Sequence, residues 1–173
     1  MTVTPIAIVG SEEKYWEGYP IAQVKAIIQK ILMEERQNNG GISFVSGGCP
    51  KGGVDIWAEE ITRSMGIPSR IFKPESLTWN DQFTGHNRSL RLRGYRSRNI
   101  QIALNCDKIY TIEPGDRDWS GGMWTAKYAF EHRKPAFIVR INKDGMFCTE
   151  DLGRFLTRRT HIKLGRGRLG SSW

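Results

Sequence analysis

Short apolar runs alternate with segments of helical periodicity along most of this chain, and that alternation limits the possible folds. The runs predict buried strands at residues 5–9, 42–45, 70–72, 108–112 and 136–141. Apolar spacings of three and four predict helices at about 19–37, 54–65, 93–105 and 122–131, and they allow a short helix at 150–156. This order is typical of βαβ units. We predict an α/β fold with a mainly parallel sheet of about five strands flanked by helices.

The length and the distribution of charge indicate one domain with a basic end. At 173 residues and 39% apolar composition, the chain suits a single hydrophobic core. All 18 acidic residues lie at or before Asp151, so residues 1–153 carry only +2 of the net charge of +8. We predict a single domain over residues 1–153 and a basic, flexible C-terminal tail over residues 154–173. Non-specific attraction of that tail to polyanions is the alternative.

The cysteines and histidines show no spacing that is typical of metal ligands, so we predict no metal site and no cofactor. No apolar run reaches the length of a membrane span, and we expect no membrane association. An odd cysteine count without a signal peptide fits a reducing compartment. We therefore expect a cytoplasmic protein.

Two glycine-rich turns each follow a predicted strand and lead into a helix. The first is Ser46-Gly47-Gly48-Cys49-Pro50-Lys51-Gly52-Gly53, and the second is Ser120-Gly121-Gly122-Met123-Trp124-Thr125. Glycine lets backbone approach an anion, and a helix N-terminus favours phosphate. The first turn matches neither a Walker A loop nor a dinucleotide fingerprint, so a tight structural connection remains an alternative.

Parallel sheets bind ligands beyond the carboxyl ends of their strands, at the point where strand order reverses. That rule groups both turns with Gly10 and Ser11 around one crevice and predicts that their backbone faces a phosphate. Asp55 either caps the second helix or contacts a ribose hydroxyl. Trp124 either packs in the core or stacks on a base, while Ser120 and Thr125 can cap a helix or bind phosphate. The predicted ligand-binding set from these segments is Gly10, Ser11, Ser46, Gly47, Gly48, Gly52, Gly53, Asp55, Ser120, Gly121, Gly122, Met123, Trp124 and Thr125.

Five arginines lie within residues 88–98 with no carboxylate among them. A solvated helix face usually mixes charges, so this cluster favours an anionic partner, although a solvated face remains open. Arginine binds phosphate through a bidentate fork. We predict that Arg96, Arg98 and the adjacent Asn99 contact the ligand. The preceding polar segment, residues 73–92, has the length of a functional or disordered loop.

Catalytic groups are not evident. The chain has no Ser-His-Asp order, no Cys-His pair and no HExxH motif. Four acids near the predicted crevice are the weak candidates for general acid or base chemistry: Glu113, Asp116, Asp118 and Glu131. Solvation or loop ordering would explain them equally well.

Taken together, several motifs resemble the SLOG superfamily, which includes the DNA-processing protein A core, the Lonely guy phosphoribohydrolases and small YspA-like proteins. The motifs are the small residues after the first strand, Ser46-Gly47-Gly48 with Gly53-Val54-Asp55, Arg98-Asn99, Cys106-Asp107, and Gly121-Gly122 with Thr125 and Lys134-Pro135. They cover residues 5–141 in order. The resemblance implies that residues 1–153 form a Rossmann-like three-layer fold that binds a nucleotide, and it implies a homo-oligomer. The implied site is lined by Gly47, Gly48, Asp55, Arg98, Asn99, Gly121, Gly122 and Thr125.

One position departs from that resemblance. The Lonely guy enzymes carry Pro-Gly-Gly-x-Gly-Thr-x-x-Glu, whose glutamate acts in N-glycosidic cleavage, and here that position is Tyr128. A phenol with a pKa of about 10 cannot replace this carboxylate, and nucleoside deoxyribosyltransferases, which also rely on a glutamate, meet the same objection. We therefore predict a module that binds a nucleoside phosphate or an ADP-ribose-type ligand as a sensor, carrier or sequestering protein. A nucleotide N-glycoside hydrolase is the alternative. Single-stranded nucleic-acid binding through the arginines, Trp79, Phe83 and Tyr95 ranks third.

Overall fold

The structure, a computed structural model, describes residues 3–79, 82–83 and 91–167, and for residues 82–83, 91–92 and 161–167 it describes the backbone alone. The strands are β1 (Thr4–Gly10), β2 (Ile42–Ser46), β3 (Ser69–Ile71), β4 (Gln82–Phe83), β5 (Arg91–Leu92), β6 (Lys108–Pro114), β7 (Ala136–Ile141) and β8 (Phe147–Asp151). The helices are α1 (Ile21–Asn39), α2 (Val54–Ser64), α3 (Tyr95–Asn105), α4 (Gly121–Glu131) and α5 (Leu152–Gly167). A short 3₁₀ helix spans Glu13–Trp16.

The main sheet has the strand order β3-β2-β1-β6-β7-β8. The first five strands are parallel, whereas β8 pairs antiparallel with β7. Strands β4 and β5 form a separate antiparallel pair. The predicted α/β, Rossmann-like three-layer fold is confirmed. Strand order reverses between β1 and β6, where Val9 pairs with Thr111 and Gly10 with Ile112.

Alternate residues of β1 pack into two separate hydrophobic clusters. Ile6 and Ile8 face the layer that contains α1 and α2. Ala7 and Val9 face the opposite layer, which contains α3, α4 and the start of α5. Because successive side chains of a strand point to opposite faces, this split places helices on both sides of the sheet.

The C-terminal part differs from the expectation of a flexible tail after residue 153. Helix α5 begins at Leu152 and continues to Gly167, so the expected boundary falls inside its first turn. Leu152 and Phe155 are buried in the cluster that covers α4. They are three residues apart, which is the spacing that places both on one helix face. The strand β8, which precedes α5, was not predicted because most of its residues are exposed and it lacks a continuous apolar run.

The start of the long loop folds back onto the start of α3. The amide of Tyr95 donates to the Thr78 carbonyl at 2.8 Å, and the amide of Arg96 donates to the Trp79 carbonyl at 2.9 Å. These bonds hold Trp79 near the first turn of α3. Of the helices in the described ranges, none has the combination of length and apolar character that crossing a bilayer requires.

Candidate functional site

A cavity of about 350 Å³ opens beyond the carboxyl ends of β1 and β6, where strand order reverses. Its volume lies in the range of small-molecule sites. Nine of the predicted ligand-binding residues line it: Gly10, Ser11, Asp55, Arg98, Asn99, Ser120, Gly121, Gly122 and Thr125. The other lining residues were not predicted for this site: Val9, Glu12, Cys49, Lys51, Leu77, Trp79, Tyr95, Ile102 and Arg117.

The remaining predicted ligand-binding residues lie outside the cavity lining: Ser46, Gly47, Gly48, Gly52, Gly53, Arg96, Met123 and Trp124. Arg96 is exposed on α3, and Met123 is fully buried in the core. Arg88 and the Arg91 side chain fall outside what the structure describes. Most of the first glycine turn is thus separated from the cavity.

Backbone amides of the first turn are occupied by internal acceptors. The Gly48 amide donates to Glu59 Oε1 at 3.0 Å, and the Gly52 amide donates to the Cys49 carbonyl at 3.1 Å. The Ser46 hydroxyl also donates to Glu59 Oε1, at 2.5 Å. These amides therefore stabilise the turn itself, contrary to the expectation that they face a ligand.

Gly47 provides space for the side chain of Arg98. A Cβ at Gly47 would lie 1.7 Å from Arg98 Nη1, a distance that excludes any larger residue unless the guanidinium moves. Arg98 Nη1 in turn donates to Asp55 Oδ2 at 3.1 Å, and both side chains are only 7% exposed. Burial raises the pKa of the Asp55 carboxyl, and the Arg98 guanidinium opposes that shift. The first turn thus encloses a buried ion pair that forms one wall of the cavity.

The second turn keeps helix-start amides available. Ser120 is the N-cap of α4, and its hydroxyl accepts the Met123 amide at 3.0 Å. Among the described residues, the amides of Gly121 and Gly122 have no acceptor. Gly122 must be glycine because a Cβ there would lie 2.7 Å from the Gly10 Cα. This contact brings the start of α4 directly against the end of β1.

The Asn99 side chain is buried, with 5% of its surface exposed, yet it lines the cavity. In the described ranges its carboxamide has no hydrogen-bond partner. Its Nδ2 lies 3.9 Å from the position that a Cβ of Gly121 would occupy. The polar atoms of this carboxamide are not fully enclosed, so the group is open to the cavity and is suited to a ligand that approaches the start of α4.

Two cationic side chains line the cavity without a buried carboxylate partner. The Arg117 guanidinium lies over the Tyr15 ring, 3.3 Å from its centroid, and Arg117 Nε has no acceptor within the described part of the chain. A hydrogen bond with Arg117 lowers the pKa of the Tyr15 phenol. Lys51 reaches Glu12 Oε1 at 3.3 Å, with both groups partly solvated. Exposed pairs of this kind contribute little, so both cations remain available to an anion.

Aromatic rings form another side of the cavity. Trp79 and Tyr95 line it, and Arg98 lies 5.3 Å from the Tyr95 ring centroid. The Trp79 ring meets Trp124 edge-on at 5.0 Å, and Trp124 stacks on Tyr128 at 5.4 Å. Trp124 was predicted either to pack in the core or to stack on a base. In the structure its ring packs against Trp79 and Tyr128 and does not line the cavity.

Glu113 lies behind the cavity wall. It is fully buried, and it accepts hydrogen bonds from the hydroxyls of Ser11, Thr111 and Ser120. Burial raises the pKa of its carboxyl, while the three hydroxyl donors and the charge of Arg117 oppose the shift. A period of two along β6 places Ile109, Thr111 and Glu113 on the same sheet face, and this periodicity is the signal that could have predicted its burial.

None of the four predicted catalytic acids lines the cavity. Asp116 accepts a hydrogen bond from the Tyr19 hydroxyl at 2.7 Å, and Glu131 pairs with Lys127 on the surface of α4. Asp118 is exposed. The acids that do line the cavity are Glu12 and Asp55. Among the described residues, no cluster of three or more His, Cys, Asp and Glu side chains could hold a metal ion.

Comparisons of this chain with protein-family models, with curated proteins and with solved structures found no match. The resemblance to the SLOG superfamily therefore rests on the sequence motifs, and the function must be argued from the cavity.

Proposed function

We propose that the cavity binds a nucleotide or nucleotide-derived ligand, and that the chain acts as a sensor, carrier or sequestering module. One observation carries this proposal: among the described residues, the amides of Gly121 and Gly122 and the carboxamide of Asn99 have no hydrogen-bond partner, and all three border the same cavity. A helix N-terminus with free amides is suited to a phosphate. Asn99 adds a neutral donor beside it.

The surrounding groups support the same ligand class. Arg117 and Lys51 supply positive charge that a phosphate would complement. Trp79 and Tyr95 present rings on which a base can stack. A nucleoside phosphate combines the anion and the flat ring system that these two sides of the cavity favour.

Calorimetric titration with AMP, ADP-ribose, NAD and 3′,5′-cyclic AMP tests the proposal. We expect at least one to bind, and we expect Asn99→Asp to weaken that binding about 10-fold or more, because the substitution replaces a donor to phosphate with a like charge. The matched control is Asn105→Asp at the other end of α3, where Asn105 Nδ2 donates to the Gln101 carbonyl at 2.8 Å outside the cavity. Failure of all four ligands to bind, or equal losses in both variants, would contradict the proposal.

A further inference from the structure

A second subsite of the cavity follows from the hydroxyl protons of Ser11 and Ser120. Both serines line the cavity, and both donate to the same carboxylate, Glu113. The Ser120 bond measures 2.5 Å, and Thr111 supplies a third hydroxyl at 2.6 Å. Glu113 is 0% exposed, and among the described residues it forms no ion pair. Hydroxyl groups are therefore its principal hydrogen-bond donors.

A hydroxyl has one proton and two lone pairs, whereas an ionised carboxylate can only accept. When it is ionised, Glu113 therefore fixes the direction of all three hydroxyl bonds. Ser120 also accepts the Met123 amide at 3.0 Å, which satisfies one of its lone pairs. For Ser11 Oγ, no donor is found in the described ranges. The hydroxyl surface that Ser11 presents to the cavity can accept a hydrogen bond but has no proton to give.

The hydroxyl of Thr125, which also lines the cavity, donates its proton to an internal acceptor as well. Thr125 Oγ1 donates to the Gly121 carbonyl at 2.8 Å. Ser120 and Thr125 were predicted either to cap the helix or to bind phosphate, and their protons are already donated to Glu113 and to the Gly121 carbonyl. The donors available for an anion are instead the helix-start amides, Asn99 and Arg117. The cavity lining thus combines donors for an anion with the Ser11 oxygen, which can only accept a hydrogen bond.

We infer that Ser11, held by Glu113, forms a subsite that accepts a hydrogen bond from a sugar hydroxyl of the bound ligand. This inference rests on the proposed function, because it identifies which part of the nucleotide Ser11 would bind. A phosphate oxygen would meet lone pairs there and would be repelled. Ser11 is then a specificity-determining residue, and Glu113 is a positioning residue that acts through it.

The experiment compares AMP with 2′-deoxy-AMP and 3′-deoxy-AMP, and ribose 5-phosphate with 2-deoxyribose 5-phosphate, by calorimetry. In the unmodified chain we expect at least one deoxy form to bind about 3- to 10-fold more weakly than its hydroxyl counterpart, the range of one neutral hydrogen bond. Ser11→Ala removes the acceptor. Glu113→Gln introduces an amide N–H that can donate to a serine oxygen, and the proton of that serine hydroxyl can then point towards the ligand. Both variants should lose the preference.

The matched control is Thr111→Val, which removes one donor to Glu113 without changing a lining residue. It should keep the preference for the hydroxyl form. The infrared difference spectrum between the unmodified chain and Glu113→Gln at neutral pH provides a readout that needs no ligand. We expect a carboxylate band from Glu113, and a carboxylic acid band instead would overturn the inference.

The outcomes separate the two proposals. If AMP binds with no preference for either hydroxyl, or if both variants keep the preference, the subsite inference fails while the proposed function stands. If ribose 5-phosphate binds with the preference and none of AMP, ADP-ribose, NAD and 3′,5′-cyclic AMP binds, the nucleotide proposal fails and the subsite stands. If neither ribose 5-phosphate nor any of these four ligands binds, both proposals fail.

Discussion

The two glycine-rich turns have similar compositions, but they have different roles in the structure. In the first turn, the amides of Gly48 and Gly52 bond to internal acceptors, and the space at Gly47 is filled by Arg98. In the second turn, the amides of Gly121 and Gly122 have no acceptor among the described residues and border the cavity. The first turn mainly supports the site and contributes Cys49 and Lys51 to its lining, whereas the second turn presents free helix-start amides to it.

The difference follows from what each glycine contacts. At Gly47, the missing Cβ makes room for a side chain of the same molecule, and at Gly122 it permits contact between two backbones. At Gly121 it meets nothing closer than Asn99 Nδ2, at 3.9 Å. Glycine-rich sequence therefore indicates close approach, but not whether a ligand or the protein itself fills the space.

The largest expected effect comes from breaking the buried ion pair that the first turn encloses. Arg98→Ala should destabilise the fold by about 3–5 kcal/mol, because it leaves the Asp55 carboxylate buried without its partner. Urea denaturation measures the loss. In the double variant Arg98→Ala with Asp55→Ala, part of the stability should return, since no buried charge remains unpaired. If Arg98→Ala alone lowers the free energy of unfolding by less than about 1 kcal/mol, the ion pair that the first turn encloses contributes little to stability.

A smaller effect tests the backbone contact of the second turn. Gly122→Ala should cost about 1–3 kcal/mol, because its Cβ would lie 2.7 Å from the Gly10 Cα and force α4 away from β1. The matched control is Gly121→Ala, one residue earlier, where a Cβ has room. Thermal unfolding of the two variants measures the contrast. Equal melting temperatures would mean that α4 can move from β1 without cost.

Much of the fold could be predicted from apolar periodicity. The first strand was predicted as 5–9 and is Thr4–Gly10, and the last parallel strand was predicted as 136–141 and is Ala136–Ile141. The strand β8 was missed because an edge strand with mostly exposed residues has no apolar run to detect. The extent of α5 was missed because an arginine-rich composition masks the anchoring of Leu152 and Phe155.

The site was predicted less completely because its parts depend on distant partners. Gly47 makes room for the side chain of Arg98, which lies 51 positions later in the chain, and local sequence cannot show such a contact. Glu113 was read as belonging to a polar loop because the strand was expected to end at residue 112, whereas β6 continues to Pro114. The second turn was better predicted, because capping by Ser120 is a local pattern.

The smallest expected effect compares the glutamates to which the turn serines donate: Glu59 for Ser46 and Glu113 for Ser120. Burial raises the pKa of the Glu113 carboxyl above its ordinary value of 4.5. Its contribution to stability is therefore fully present below the unfolded pKa and is lost as the pH rises through the folded pKa. Glu113→Gln cannot titrate, so its melting temperature should fall less steeply than that of the unmodified chain as the pH rises from the acid range.

Melting temperatures from about pH 4 to pH 8 measure that slope. Asp55, whose pKa burial also raises, should retain part of the decline in the variant. Glu59→Gln is the control, since it makes the same substitution at the partly buried glutamate that accepts from Ser46. Identical slopes for the Glu113 variant and the unmodified chain would show that the carboxyl of Glu113 does not change its protonation in this range.

The ends of the main sheet limit how copies of this chain can join. The outer strand β3 has only three residues, and β8, at the opposite end, carries Glu150 and Asp151. Short and charged outer strands offer little unpaired backbone for another strand to extend. Association of copies through a continuous sheet is therefore disfavoured, and an assembly would have to be built from helix surfaces.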